Sequence, residues 1–89
     1  MNDSLYRIDY LASVVKNDIP ALPLRIKNQI KRAIEERLMV DPISFGKPLR
    51  YSLKGHRRLR VGDYRILYRI EEDDVVIVLA IKHPKDIYE

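Results

Sequence analysis

Residues 56–70 read HRRLRVGDYRILYRI, two runs of alternating large and charged side chains flanking a glycine and an aspartate. Alternation with period two marks a strand whose two faces differ, because successive side chains point to opposite sides of a sheet. Arg57 to Val61 therefore reads as one strand, Gly62-Asp63 as a turn or bulge, and Tyr64 to Ile70 as the next strand. Leu59 and Val61 share one face of the first run, and Arg58 and Arg60 share the other. In the second run Tyr64, Ile66, Tyr68 and Ile70 go one way, Arg65 and Arg69 the other. With the apolar sets turned to a core, Arg58, Arg60 and Arg65 converge on the uncovered side.

Working outward, Glu71-Glu72-Asp73-Asp74 reads as a solvated hairpin tip. Val75 to Ile81 (VVIVLAI) is apolar and β-branched throughout, the pattern of a strand covered on both faces. Lys82 to Glu89 is a polar tail. Upstream, Lys54-Gly55 is a turn signal, and residues 43–50 (ISFGKPLR) form a loop leading to a strand near Leu49 to Leu53. Leu22, Ile26, Ile30, Ala33, Ile34 and Leu38 recur at three- and four-residue steps, which predicts an amphipathic helix with one buried stripe. It starts at Pro20 or at Pro23, since proline is accommodated near a helix beginning, and it stops at Asp41-Pro42. Leu11 to Lys16 predicts a shorter helix, and Leu5 to Tyr10 a first strand. The order is strand, helix pair, then strands. The expected fold class is α+β: a small, mainly antiparallel sheet with an N-terminal helical hairpin packed on one face.

Eighty-nine residues make a single domain, 1–89, with one core. The chain has no cysteine, which excludes disulfides, thiolate nucleophiles and thiolate metal sites. Two histidines and scattered acids show no metal-ligand spacing, and the three glycines stand apart, so neither a metal nor another cofactor is expected. No apolar run approaches the roughly 18 residues of a membrane span, and the start is neither a signal nor a transit peptide; a cytoplasmic protein is expected. From Lys47 to Arg69 eight basic residues stand against one acid, Asp63. Such a stretch favours an anionic partner, nucleic acid first, although charge alone also fits an acidic protein. Arginine rather than lysine points to phosphate, which a guanidinium grips with two parallel hydrogen bonds.

GKPLR (46–50), SLKGHRRLRVGDYRILYRI (52–70), VVIVLAI (75–81) and KHPKDIY (82–88) resemble the RelE/ParE superfamily of toxin–antitoxin systems, on its RelE side. DIPALP (18–23) and KRAIEERLMVDP (31–42) resemble that family's helical hairpin, so the likeness spans nearly the whole chain. It implies a metal-independent endoribonuclease that cuts messenger RNA, usually in the ribosomal A site, until a cognate antitoxin silences it; DNA is met only through the antitoxin complex. In the family a 2′-hydroxyl attacks the adjacent phosphate, giving a 2′,3′-cyclic phosphate and a 5′-hydroxyl. The resemblance implies Arg65, His83 and Tyr88 as catalytic residues, with Arg58 and Arg60 as phosphate contacts. Arg65 is the expected phosphate clamp, His83 the general acid or base, and Tyr88 a stacking or proton-transfer group. Lys54, Lys82 and Lys85 are further candidate RNA contacts. One departure stands out. Where close relatives follow this histidine with arginine, Pro84 stands here, and Lys82 and Lys85 are the cations beside it. A non-catalytic, ParE-like inhibitor of DNA gyrase is the alternative, and a toxin acting only within a repressor complex is a third reading.

Overall fold

In the computed structural model, which describes residues 5–52 and 54–87, five strands form one mixed sheet. They are β1 (Arg7–Tyr10), β2 (Lys47–Pro48), β3 (Arg57–Val61), β4 (Tyr64–Glu71) and β5 (Val75–Lys82), in the spatial order β1-β5-β4-β3-β2. β1 runs parallel to β5, and every other pairing is antiparallel. The parallel pair follows from the helices between β1 and the later strands, because a parallel partner needs a crossover too long for a hairpin. Among the described residues no helix is long and apolar enough to cross a membrane.

The helical hairpin covers one face. Its first arm is a wide-wound segment, Val14–Asp18, in which the Ile19 N–H reaches back five residues to the Val14 carbonyl at 2.9 Å. The second arm is α1 (Leu24–Ala33), which continues as another wide turn, Ile34–Leu38. Of the two prolines that suit a helix start, Pro23 is the one used: its carbonyl accepts the Lys27 N–H at 2.8 Å. The predicted stripe is buried, with Leu22, Ile30, Ala33, Ile34 and Leu38 packed on Leu59, Val61, Ile66, Tyr68, Val76, Val78 and Ile81. Ile26, at its margin, is half-buried. Removing Leu38 or Ile66, both fully buried, would leave a cavity costing about 2–5 kcal/mol.

Three local expectations are corrected. Residues 43–50 are not simply loop: Pro42–Phe45 forms a one-turn helix, α2, whose N-terminus is capped by Asp41, with the Ser44 N–H donating to its carboxylate at 3.2 Å. The strand expected near Leu49 to Leu53 is instead the two-residue β2, shifted earlier; Pro48 has no N–H with which to extend a ladder, and Leu53 lies outside the described residues. Among the described residues β5 is not fully covered on both faces: Ile77, Leu79 and Ala80, on the side away from the helical hairpin, are only half-buried. The polar tail, for its part, begins with a short turn of helix, α3 (Pro84–Ile87).

The turns account for the small and acidic residues between strands. Gly62, at φ 59°, allows β3 and β4 to join through two residues. Asp73 and Asp74 both adopt left-handed backbone at the β4–β5 tip, a conformation aspartate tolerates better than most side chains.

Candidate nucleic-acid interface

Strand register decides which cations meet. Arg60 stands opposite Arg65, and Arg65 opposite Lys82, so three basic residues from three strands form one row across the sheet. Directly opposed residues lie about 5 Å apart between Cβ atoms, close enough for their cationic ends to share an anion. The next row on the same face holds Lys47 opposite Arg58, and Arg58 opposite Leu67. The helical hairpin packs on the opposite face, against Leu59, Val61, Ile66 and Tyr68. Further along the basic face the charges are already matched: Arg69 is paired with Glu71, and Arg7 with Asp9 at 3.4 Å. Among the described residues Lys82 is paired with Asp18, and the arginines with no acidic partner, Arg58, Arg60 and Arg65, gather at the end where β3 and β4 meet.

Lys82 reaches this row only because β5 is irregular. Leu67 pairs with Ala80 but Tyr68 pairs with Val78, which leaves Leu79 as an extra residue in β5. Counting by twos from buried Val76 and Val78 would send Lys82 into the core. The bulge reverses the faces, so Ile81 is buried opposite Ile66 and Lys82 lies beside Arg65. The Arg60 guanidinium is steadied by its Nε–H, which donates to the Gly62 carbonyl at 3.0 Å.

His83 follows directly. Its ring meets Tyr64 edge-on, with centroids 5.1 Å apart and planes at 76°. Its Nδ1 accepts the Lys85 N–H at 3.2 Å, which puts the ring proton of the neutral imidazole on Nε2. A polar hollow of about 490 Å³ borders it, lined by Asp18, Tyr64, Lys82, His83 and Lys85 among others. Asp18 organises this corner. β1 stops pairing with β5 at Val78, and beyond that point the Asp18 carboxylate stands in for a strand neighbour, accepting the Ile81 N–H at 2.9 Å and lying 3.5 Å from the Lys82 ammonium.

Of the candidates read from sequence, Arg58, Arg60, Arg65 and Lys82 come together on one face, with His83 at its end and Lys85 across the adjoining hollow. Lys54 does not join them. It sits on the β2–β3 connection, beyond Arg57 and so at the opposite end of β3 from Arg60. Tyr88 lies outside the described residues. A second hollow, of about 300 Å³, opens at the β3 edge beside the basic rows and contains two residues that sequence reading passed over, Arg37 and Phe45. Both come from the helical layer, and no strand alternation could have connected them to Arg58. Among the described residues no group of three or more histidines or acids could hold a metal ion.

Comparison with known proteins agrees with this architecture. Residues 5–88 match the sequence model of a family described as the ParE toxin of the type II toxin–antitoxin system parDE. The Toxin RelG of Mycobacterium tuberculosis is 36% identical over 77 residues, spanning 85% of this chain and 88% of that relative. The Toxin RelE of the same organism is 32% identical over 71 residues, spanning 80% of this chain and 72% of its own. Among solved structures, the toxin–antitoxin complex RelBE2 of Mycobacterium tuberculosis superposes with a TM-score of 0.80 at 31% identity, covering 92% of this chain and 94% of that one. The RelB–RelE complex of Methanococcus jannaschii does so with 0.73 at 27%, covering 91% and 95%.

Proposed function

Because the chain belongs to the RelE/ParE superfamily of toxins from type II toxin–antitoxin systems, we propose that it is a messenger-RNA endoribonuclease, working in the ribosomal A site in the cytoplasm and silenced by a cognate antitoxin. The observation that carries this reading is the row Arg60–Arg65–Lys82, with His83 at its end. In-line attack by a 2′-hydroxyl on the neighbouring phosphate builds negative charge on the non-bridging oxygens. Guanidiniums fixed on a sheet oppose that charge without having to reorganise. Arg65, half-buried between Arg60 and Lys82, is the central clamp.

The hydrogen bond at His83 refines its role. With Nδ1 accepting from Lys85, the neutral ring offers Nε2–H as a hydrogen-bond donor, which suits a non-bridging phosphate oxygen. Protonation of the leaving 5′ oxygen by His83 would need the imidazolium, in which the Lys85 contact is given up. For Tyr88, outside the described residues, the proposed role is stacking on a base or taking part in proton transfer. The products are a 2′,3′-cyclic phosphate and a 5′-hydroxyl.

The antitoxin has a separate seat. An apolar groove of about 640 Å³ lies between β1, the first helical arm and α1, with Ile8, Ile19, Leu22, Ile30 and Met39 among its walls. Lys27 and Lys31 border it, with Glu35 the one acid among its described lining residues, a match for an amphipathic segment bearing acidic residues. An antitoxin that bound while leaving this groove open to solvent would contradict the assignment.

The test is single-turnover cleavage of messenger RNA on programmed ribosomes. A 2′-deoxy substitution at the scissile nucleotide should abolish cleavage, and Arg65→Ala should slow it by about 100- to 1,000-fold. Cleavage that survives the 2′-deoxy substitution refutes the mechanism. Pro84, at a position where the family resemblance implies an arginine, favours one second reading, a non-catalytic inhibitor of DNA gyrase. Intact transcripts together with blocked gyrase supercoiling would establish that reading instead.

A further inference from the structure

The turn that carries Phe45 is held by more side chains than a four-residue helix needs. Tyr68, fully buried, donates its hydroxyl to the Pro42 carbonyl at 2.6 Å. The Arg57 guanidinium reaches two more carbonyls of the same turn, Ile43 at 2.6 Å and Gly46 at 3.1 Å. It does so although its own Nε is buried without a partner. Asp41 caps the other end. Yet Phe45, the aromatic residue on this rigid turn, remains 49% exposed. An aromatic ring fixed in place and left open to solvent has been presented, not buried.

What it faces is cationic. Phe45 lines the hollow of about 300 Å³ at the β3 edge together with Leu59, and Arg37, Lys47, Arg58 and Arg65 are among the charged residues around it. Among the described residues no acid lines this hollow. An apolar ring and aliphatic floor surrounded by guanidiniums suit a ligand with a flat π-face and phosphates on either side, which describes a nucleotide within a single strand. Arg58 and Arg65 belong to both the hollow and the basic rows, so strand and hollow are continuous.

We propose that this hollow is a nucleotide subsite, in which the base adjoining the scissile phosphate of an RNA strand lies on Phe45 while Arg37 and Lys47 neutralise the next phosphate along. The inference rests on the ribonuclease reading and adds to it two residues of the helical layer. Stacking tolerates any base, so the subsite contributes grip and register more than sequence choice.

The chain has no tryptophan, so Phe45→Trp places a single indole in the hollow. A 2′-O-methyl hexanucleotide, which lacks the attacking hydroxyl and cannot be cut, should quench its emission on binding. Phe45→Ala should weaken binding of the same oligonucleotide about 10-fold, the loss of one base stack, while Phe45→Tyr retains it. Arg37→Gln should reduce the salt dependence of binding, lowering the slope of log K against log salt by about 0.7. Thermal melting of each variant separates lost contact from lost fold. Binding unchanged by Phe45→Ala overturns the subsite and leaves the ribonuclease reading intact. Failure of the parent chain to bind the oligonucleotide overturns the subsite, while cleavage on programmed ribosomes decides the ribonuclease reading separately. Quenching by hexaglutamate but not by RNA assigns the hollow to an acidic protein segment and overturns the subsite alone.

Discussion

Gly46 lies in extended backbone, φ −100° and ψ 171°, that any residue adopts, so its lack of a side chain answers to space rather than conformation. A Cβ there would stand 1.7 Å from the Tyr68 hydroxyl and 2.7 Å from the ring carbon bearing it. The hydroxyl cannot retreat, because it is bonded to the Pro42 carbonyl inside the core. Burial pushes the Tyr68 phenol above its ordinary pKa, with the neighbouring Arg57 pulling the other way, so the hydroxyl stays a proton donor at neutral pH. Gly46→Ala should therefore destabilise the fold by about 1–3 kcal/mol, as overpacking does, measured by urea unfolding. Full stability in that variant would mean that the turn can move away from Tyr68. GKPLR in the sequence marks this region as special, but nothing in those five letters reveals a tyrosine 22 positions downstream as the reason.

Among the elements, α2 is the one that the residue pattern least discloses. Four residues cannot show a helical period, and ISFG resembles ordinary loop. Asp41-Pro42 reads from sequence as the stop of the preceding helix, and the structure shows that the same pair also starts α2, with Asp41 as its cap. The hydrogen bonds from Ser44 hold the Asp41 carboxyl below the usual carboxylate range. A carboxyl whose folded pKa is depressed stabilises the fold fully above the unfolded value, near ~3.9, and loses that effect as pH falls through the folded value. Asp41→Ala should accordingly melt earlier than the parent chain at about pH 7, and the difference should shrink toward about pH 3. A difference independent of pH would mean that the carboxylate's charge is irrelevant to the cap. The longer elements were readable because periodicity accumulates with length: β3, β4 and the stripe of α1 lie where alternation and three-to-four spacing put them.

Across the whole molecule, the helical layer and the basic end of the sheet are joined by Asp18. Its carboxylate is nearly covered, 11% exposed, and it bridges 63 positions to Ile81, beside Lys82 and His83. Asp18→Ala leaves the Ile81 N–H without its partner and should cost about 1–3 kcal/mol, while Asp18→Asn retains an acceptor and should cost less. Amide hydrogen exchange at Ile81 is the direct measurement: faster in the alanine variant, close to the parent in the asparagine one. Equal exchange in all three would show that β5 holds its end without the hairpin. The same tie positions the row Arg60–Arg65–Lys82, so loosening it should be felt at the proposed phosphate site before the core is lost.

The sequence by itself determined the sidedness of β3 and β4, the buried stripe of α1 and the gathering of Arg58, Arg60 and Arg65 on one face, because each is a consequence of local periodicity. It also carried the family resemblance through RLRVGDYRILY. Only the tertiary structure decided that Lys82 belongs to that face, since one extra residue at Leu79 reverses every side chain after it and no composition signals a bulge. It likewise brought Arg37 and Phe45 beside Arg58, and set Lys54 at the far end of β3. Contacts between layers depend on how helices and sheet pack, a property of the folded whole that no window of neighbouring residues contains.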